Sequence, residues 1–143
     1  MTEGRNHKFV GTWELVAGTS EDIATGQKTA IHKCTGYLNY SPDGRVFAII
    51  VDSDRKKPVG DIATVTEAEA LFRSMAAYSG TYSIKGNHVV HHIDISWNET
   101  WTGTDQARDY KFDGKRLSLM IGPSPNPRTR QNSVRTFVWE KIK

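Results

Sequence analysis

Residues 105–121 read DQARDYKFDGKRLSLMI. Two alternating runs flank Asp113-Gly114, the strongest short-range hairpin signal a sequence carries. A two-residue turn there pairs Tyr110 with Leu117 and Arg108 with Leu119. Neighbours on a strand point to opposite faces. Gln106, Arg108, Tyr110 and Phe112 therefore share a face with Leu117, Leu119 and Ile121, while Asp105, Asp109 and Lys111 take the other. The hairpin predicts an antiparallel sheet with one wet face and an arginine on the dry one.

Most of the remaining chain carries the same alternation and turn punctuation. Strands are expected at 9–18, 34–40, 45–52, 81–84, 87–97 and 133–142, beside the two arms at 105–112 and 115–121. That makes eight. One helix interrupts them at 66–80: Thr66-x-x-Glu69 reads as a capping box, and Ala68, Leu71, Phe72, Met75 and Ala76 follow helical spacing. Ser79-Gly80 reads as its stop. Traced as a meander, the tight turns at Ser41-Pro42-Asp43-Gly44, Lys85-Gly86 and Asp113-Gly114 fall at one end. The long connections at 19–33, 53–80, 98–104 and 122–132 fall at the other. The expected fold is all-β: an eight-stranded antiparallel up-and-down barrel, with one helix between the third and fourth strands near the mouth. Such a barrel either encloses a cavity for one small ligand or is filled by its own side chains.

With 143 residues, the chain suits a single domain spanning 1–143. The segment MTEGRNHKF has no apolar core, so a signal peptide is not expected, and no apolar run approaches a membrane span. The lone Cys34 precludes an internal disulfide and fits a reducing, cytoplasmic setting. It reads as a free thiol rather than a nucleophile. The net charge of +3 is a mild excess. Arg55-Lys56-Lys57 and Arg128/Arg130/Arg135 read as solvated loops, and no nucleic-acid motif accompanies them.

Three of the five histidines lie in HVVHHIDISWNETW, residues 88–101. His91 and His92 point to opposite faces, and His88 and His92 lie about 13 Å apart at strand rise. A zinc or non-haem iron site is therefore not expected here; a haem on one axial histidine leaves no spacing signature and stays open. A two-residue loop between 84 and 88 puts Tyr82, Ile84, Val89, His91, Ile93 and Ile95 inside. His88, His92, Asp94 and Ser96 then face solvent. The loop after Trp97 ends near Thr104, which sets His91 beside Tyr110 or Arg108. A buried arginine is costly unless paired, and no acidic residue falls on the inner face nearby. Either a ligand anion pairs with Arg108, or Arg108 is a polar plug held by carbonyls, tyrosines and water.

The segments GTWEL (11–15), GYLNYSPDGRV (36–46), AYSGTYSI (77–84), VVHHIDIS (89–96), W-x-G-x-x-Q-x-R (101–108), DGKRLSL (113–119) and FVWEK (137–141) occur in an order that resembles the lipocalin-like domain family, short stand-alone proteins of bacteria and fungi. The resemblance covers nearly the whole chain. It implies a calycin-type barrel with a cavity for small, mostly apolar molecules. It also implies that Trp13 sits near the floor, beneath a basic residue of the last strand such as Arg135. Two features depart from the pattern. The signal peptide and disulfide of secreted lipocalins are missing, and so is a proline expected near 98–100.

Two functions follow as expectations. In the first, the lumen binds an aromatic or polyketide-like molecule with an acidic or carbonyl group. Trp13, Tyr37, Phe47, Tyr82, Trp101 and Phe137 would line it, with Arg108 and Gln106 orienting the polar end. The register around Ser41–Gly44 leaves the facing of Tyr37 and Phe47 open. In the second, the protein is a cofactor-free isomerase, cyclase or hydratase/dehydratase. His91, near its ordinary pKa, would be the general acid/base, and Arg108 with Tyr110 or Tyr82 would stabilise an oxyanion. No nucleophile elbow, phosphate loop or dinucleotide fingerprint is present. Neither reading calls for a metal or cofactor. The expected partner is a small molecule rather than nucleic acid or a membrane, and a homodimer is open.

Overall fold

The computed structural model describes residues 8–31, 33–125 and 131–142. Its strands are β1 (Gly11–Asp22), β2 (Lys28–Ala30), β3 (Cys34–Tyr40), β4 (Arg45–Asp52), β5 (Met75–Lys85), β6 (His88–Ser96), β7 (Asp105–Asp113), β8 (Arg116–Pro125) and β9 (Asn132–Lys141). A helix, α1 (Val65–Arg73), lies between β4 and β5, and a 3-10 turn spans Glu99–Trp101. All neighbours are antiparallel, and β1 pairs with both β3 and β9. Eight strands thus close a barrel in chain order. The short β2 is a ninth strand, paired to β1 at Thr19–Glu21. It lies in what the sequence reads as a loop, because the Asp22 carboxylate accepts from the backbone N–H of Ala24 and Thr25 and folds the chain back.

The tight turns share one end, and the floor is built there. Ser41–Gly44 closes on a bond from Gly44 N to Ser41 O. The other two turns sit one residue later than expected, at Gly86-Asn87 and Gly114-Lys115, with φ of +62° and +61° at the glycines. Glycine adopts that left-handed conformation without a Cβ penalty. The later turn pairs Tyr110 with Leu119 and Phe112 with Leu117. Each partner moves by two residues, so every side chain keeps its expected face.

Phe9, expected in the first strand, precedes it and plugs the floor. Its ring meets Tyr40, Tyr110 and Phe112 edge-on at 5.2, 4.9 and 4.9 Å. Its carbonyl accepts the Trp13 indole N–H at 2.9 Å. Burying such a ring contributes on the order of 2–3 kcal/mol. The basic group over Trp13 is Lys141, with Nζ 5.4 Å from the ring centroid, rather than Arg135. Lys141 pairs directly with Trp13 across β1 and β9, whereas Arg135 lies opposite Ser20, far up the strand.

The helix is shorter than expected. Thr64 and Glu67, rather than Thr66 and Glu69, form the capping box, and Ser74 ends the helix. Met75–Gly80 instead belong to β5, where Ala76, Ala77 and Tyr78 pair with Ile50, Ile49 and Ala48. A ladder partner for each residue outweighs the helical spacing of the apolar side chains. Gly80, expected as a helix stop, lies beside a β-bulge at Asp94. A Cβ on Gly80 would stand 1.9 Å from the His92 carbonyl oxygen. Gly80→Ala is therefore expected to cost about 3 kcal/mol, read as a lower urea midpoint. An unchanged midpoint would show that the bulge relaxes freely. The bulge also turns Ile95 outward, 68% exposed, against the expectation that it lines the interior.

Candidate functional site

Above the floor the barrel encloses a lumen of about 770 Å³, open toward α1 and the 97–104 loop. Its lower wall is apolar, with Leu38, Leu119 and Phe137. Its mouth is aromatic. Trp97 and Trp101 meet at 5.1 Å, and Trp101 lies 5.8 Å from Tyr78. The Trp97 indole donates to the Phe72 carbonyl at 3.1 Å, tying the loop to α1.

Polar groups occupy the middle. His91, 1% exposed, pairs across the strands with Tyr82 and Gln106, not with Tyr110 or Arg108. β7 begins at Asp105, which sets the register so that Val89 faces Arg108. Both ring nitrogens of His91 are engaged: Nε2 lies 2.7 Å from Tyr40 Oη and Nδ1 2.6 Å from Tyr78 Oη. Burial, then the charges of Arg108 and His92, push its pKa down to about 3, so the ring is neutral at ordinary pH rather than near its usual value. Burial holds Tyr40 well above the usual phenol range and raises Tyr78, while the Arg108 charge opposes both shifts.

Arg108 is 4% exposed and borders the lumen. Among the described residues its guanidinium makes a long hydrogen bond to backbone, 3.4 Å from Nη1 to the Ala107 carbonyl. Among the described residues no carboxylate reaches ion-pair distance of it. The carboxylates bordering the lumen, Asp22 and Asp52, are the last residues of β1 and β4. A second guanidinium is there too. Arg135, read from sequence as part of a solvated basic cluster, lines the lumen and donates to Ser124 O, Ser124 Oγ and Ser133 Oγ. Burial and the Arg108 charge lower its pKa. Arg128 and Arg130 lie outside the described residues. Trp139 also borders the lumen, and its buried indole N–H meets no acceptor among the described residues.

The other expected site residues divide cleanly. Gln106, Trp101 and Phe137 line the lumen, and Gln106 Nε2 donates to Thr104 Oγ1 at 2.9 Å. Tyr82 faces inward but is buried against Tyr40, with its hydroxyl donating to Ser41 O. The Tyr110 hydroxyl donates to Gly86 O at the floor turn. Trp13 belongs to the floor packing. None of these three borders the lumen. Tyr37 and Phe47, 44% and 49% exposed, are on the outer face, because Trp13 pairs with Leu38 and so turns Leu38 and Tyr40 inward. His88 and His92 face outward and bond Asp109 and Asp105. No cluster of three or more His, Cys, Asp or Glu side chains able to hold a metal occurs among the described residues.

Tyr40, Tyr78, Trp97 and Trp139 escaped the sequence reading. Tyr40 was within reach, since it shares parity with Leu38. Tyr78 was hidden in the run read as helix.

A closed wall, a plugged floor and an aromatic mouth over a charged interior define a barrel open at one end. The chain belongs to the lipocalin-like domain family, whose model matches residues 10–142. Lipocalin-like barrels are in general a ligand-binding architecture. Among solved structures the chain is similar to a lipocalin-like protein from Bacteroides uniformis, at 14% identity and TM-score 0.48, covering 94% of this chain and 99% of that one. It is likewise similar to an uncharacterized protein from Bacteroides eggerthii, at 13% identity and TM-score 0.47, with the same coverage of 94% and 99%. No curated protein matches. No described helix is long and apolar enough to cross a membrane.

Proposed function

We propose that the lumen binds a small, mostly apolar molecule, aromatic or polyketide-like, through an acidic or carbonyl oxygen set against Arg108. The observation that carries this reading is a guanidinium almost wholly withdrawn from water with no carboxylate partner among the described residues. A charge so placed is costly until an anion or strong acceptor joins it. Arg135 deepens the positive field, while Phe137, Leu119 and the mouth tryptophans supply apolar wall for the rest of the ligand. Few oriented polar groups in an apolar cavity is the usual make-up of a small-molecule site.

The cofactor-free isomerase, cyclase or dehydratase reading through His91 has less support. Its two nitrogens are held by tyrosines, and burial keeps the ring from taking a proton at neutral pH. A haem on His91 would have to break one of the same bonds.

The test compares two probes with one aromatic body, 8-anilinonaphthalene-1-sulfonate and the neutral N-phenyl-1-naphthylamine. A charge-assisted contact of about 1.5–3 kcal/mol gives the sulfonate an advantage of roughly 10- to 100-fold in Kd. Equal affinities, or tighter binding of the neutral amine, would refute the reading.

A further inference from the structure

His91 is buried and neutral beside Arg108, so one ring nitrogen carries a proton and the other accepts one. The two tyrosines must therefore play opposite parts. Tyr40 is 0% exposed, and among the described residues His91 Nε2 is the hydrogen-bond partner of its hydroxyl. Were Tyr40 to accept from Nε2–H, its own phenolic proton would be buried without an acceptor, forfeiting its full desolvation cost. Tyr40 therefore donates to Nε2. The ring proton is then on Nδ1 and is donated to Tyr78 Oη, 2.6 Å away.

That assignment fixes what Tyr78 does. Its oxygen accepts from Nδ1–H on one side and lies beside the Arg108 guanidinium on another. Both neighbours are positive toward its hydroxyl proton and turn it away. The direction left is the lumen that Tyr78 borders. We propose that Tyr78 presents its O–H to the lumen, held there by the Nδ1–H tautomer of His91, and that with Arg108 it forms a head site of donors alone, which takes hydroxy-aromatic ligands as their phenolates. A neutral phenol would bring a donor to a head where Tyr78 and Arg108 both donate; its anion meets two donors and a full charge. Tyr40 is then a positioning residue that acts on the ligand only through His91. The proposal rests on the reading of the lumen as a binding site.

Two measurements test it separately. Nitrogen-15 NMR of the imidazole in the ligand-free protein reads the tautomer directly. A protonated-type Nδ1 and an unprotonated-type Nε2 are expected for His91, and the reverse pattern would overturn the proposal. The second uses 4-nitrophenol, whose phenolate absorbs visibly. Its pKa is expected to fall by at least one unit on binding. Tyr78→Phe should remove most of that fall. Tyr40→Phe should weaken it as well, because the ring loses the donor that fixes its Nδ1–H tautomer. A bound pKa that stays or rises, or a fall that Tyr78→Phe leaves intact, would overturn the proposal. Failure of 4-nitrophenol to bind while the naphthalene sulfonate binds would sink the phenolate head site alone; failure of both would sink the binding lumen itself.

Discussion

Arg108→Met is expected to give a more stable protein that has lost its preference for anionic ligands. Methionine follows the arginine stem as far as Nε and packs well against irregular apolar surroundings. It removes a guanidinium that is 4% exposed and has no carboxylate partner among the described residues. Exchanging buried charge for well-packed apolar volume is often stabilising by about 1–4 kcal/mol. For a domain of this size, that raises Tm by about 4 °C per kcal/mol. The relief should extend to Arg135, whose pKa is lowered in part by the Arg108 charge. In the same variant, 8-anilinonaphthalene-1-sulfonate should fall to the affinity of its neutral analogue, a loss of roughly 10- to 100-fold. The pairing of outcomes is what discriminates. A polar plug that stiffens the barrel would make Arg108→Met less stable and leave the ratio of the two probes unchanged. A site residue kept at a cost to the empty protein does the reverse.

Acid should destabilise the barrel through His91 well before the carboxylates titrate. The folded ring has its pKa pushed down to about 3, chiefly by burial and then by Arg108. In the unfolded chain a histidine takes its proton near pH 6.5. Below that pH the unfolded state binds one more proton than the folded state, so stability falls as pH falls. The contribution is complete above about pH 6.5 and is lost down to about pH 3, at about 1.4 kcal/mol per unit, or on the order of 5 kcal/mol in all. Urea unfolding at pH 7, 6, 5 and 4 reads this slope. His91→Phe should flatten it while lowering stability at pH 7 by about 1–3 kcal/mol, since the Tyr40 hydroxyl is left without its partner. The same slope in the variant would assign the acid sensitivity elsewhere. A separate loss belongs at lower pH, where the Asp94 carboxylate, held low by its hydrogen bond from Arg45, becomes protonated.

What was legible in the chain follows from the period of a strand. The hairpin at 105–121 places Arg108 and Gln106 inside even though its turn sits one residue late, because the error moves partners by two and leaves parity untouched. The same rule carried His91, Val89 and Ile93 to the interior. It failed at Ile95, where the bulge at Asp94 reverses parity. It failed at Tyr78, where alanines and a methionine at helical spacing concealed a strand that only pairing with β4 could reveal. It was silent on Tyr37 and Phe47, because both faces of β3 offered a tyrosine and only contact with Trp13 on β1 chose between them.

By itself, then, the sequence determined an eight-stranded antiparallel barrel with a floor and a mouth, and an inward-facing arginine with no acidic residue near it on that face. Alternation and turn chemistry act between near neighbours, and they survive small errors of register. The tertiary structure alone decided the company that arginine keeps. Tyr40 on β3, Tyr78 on β5 and His91 on β6 meet only when the barrel closes, and Arg135 on β9 joins Arg108 on the lumen wall by the same closure. Those contacts depend on pairings between strands far apart in the chain and on one bulge. No local pattern of residues encodes such distances.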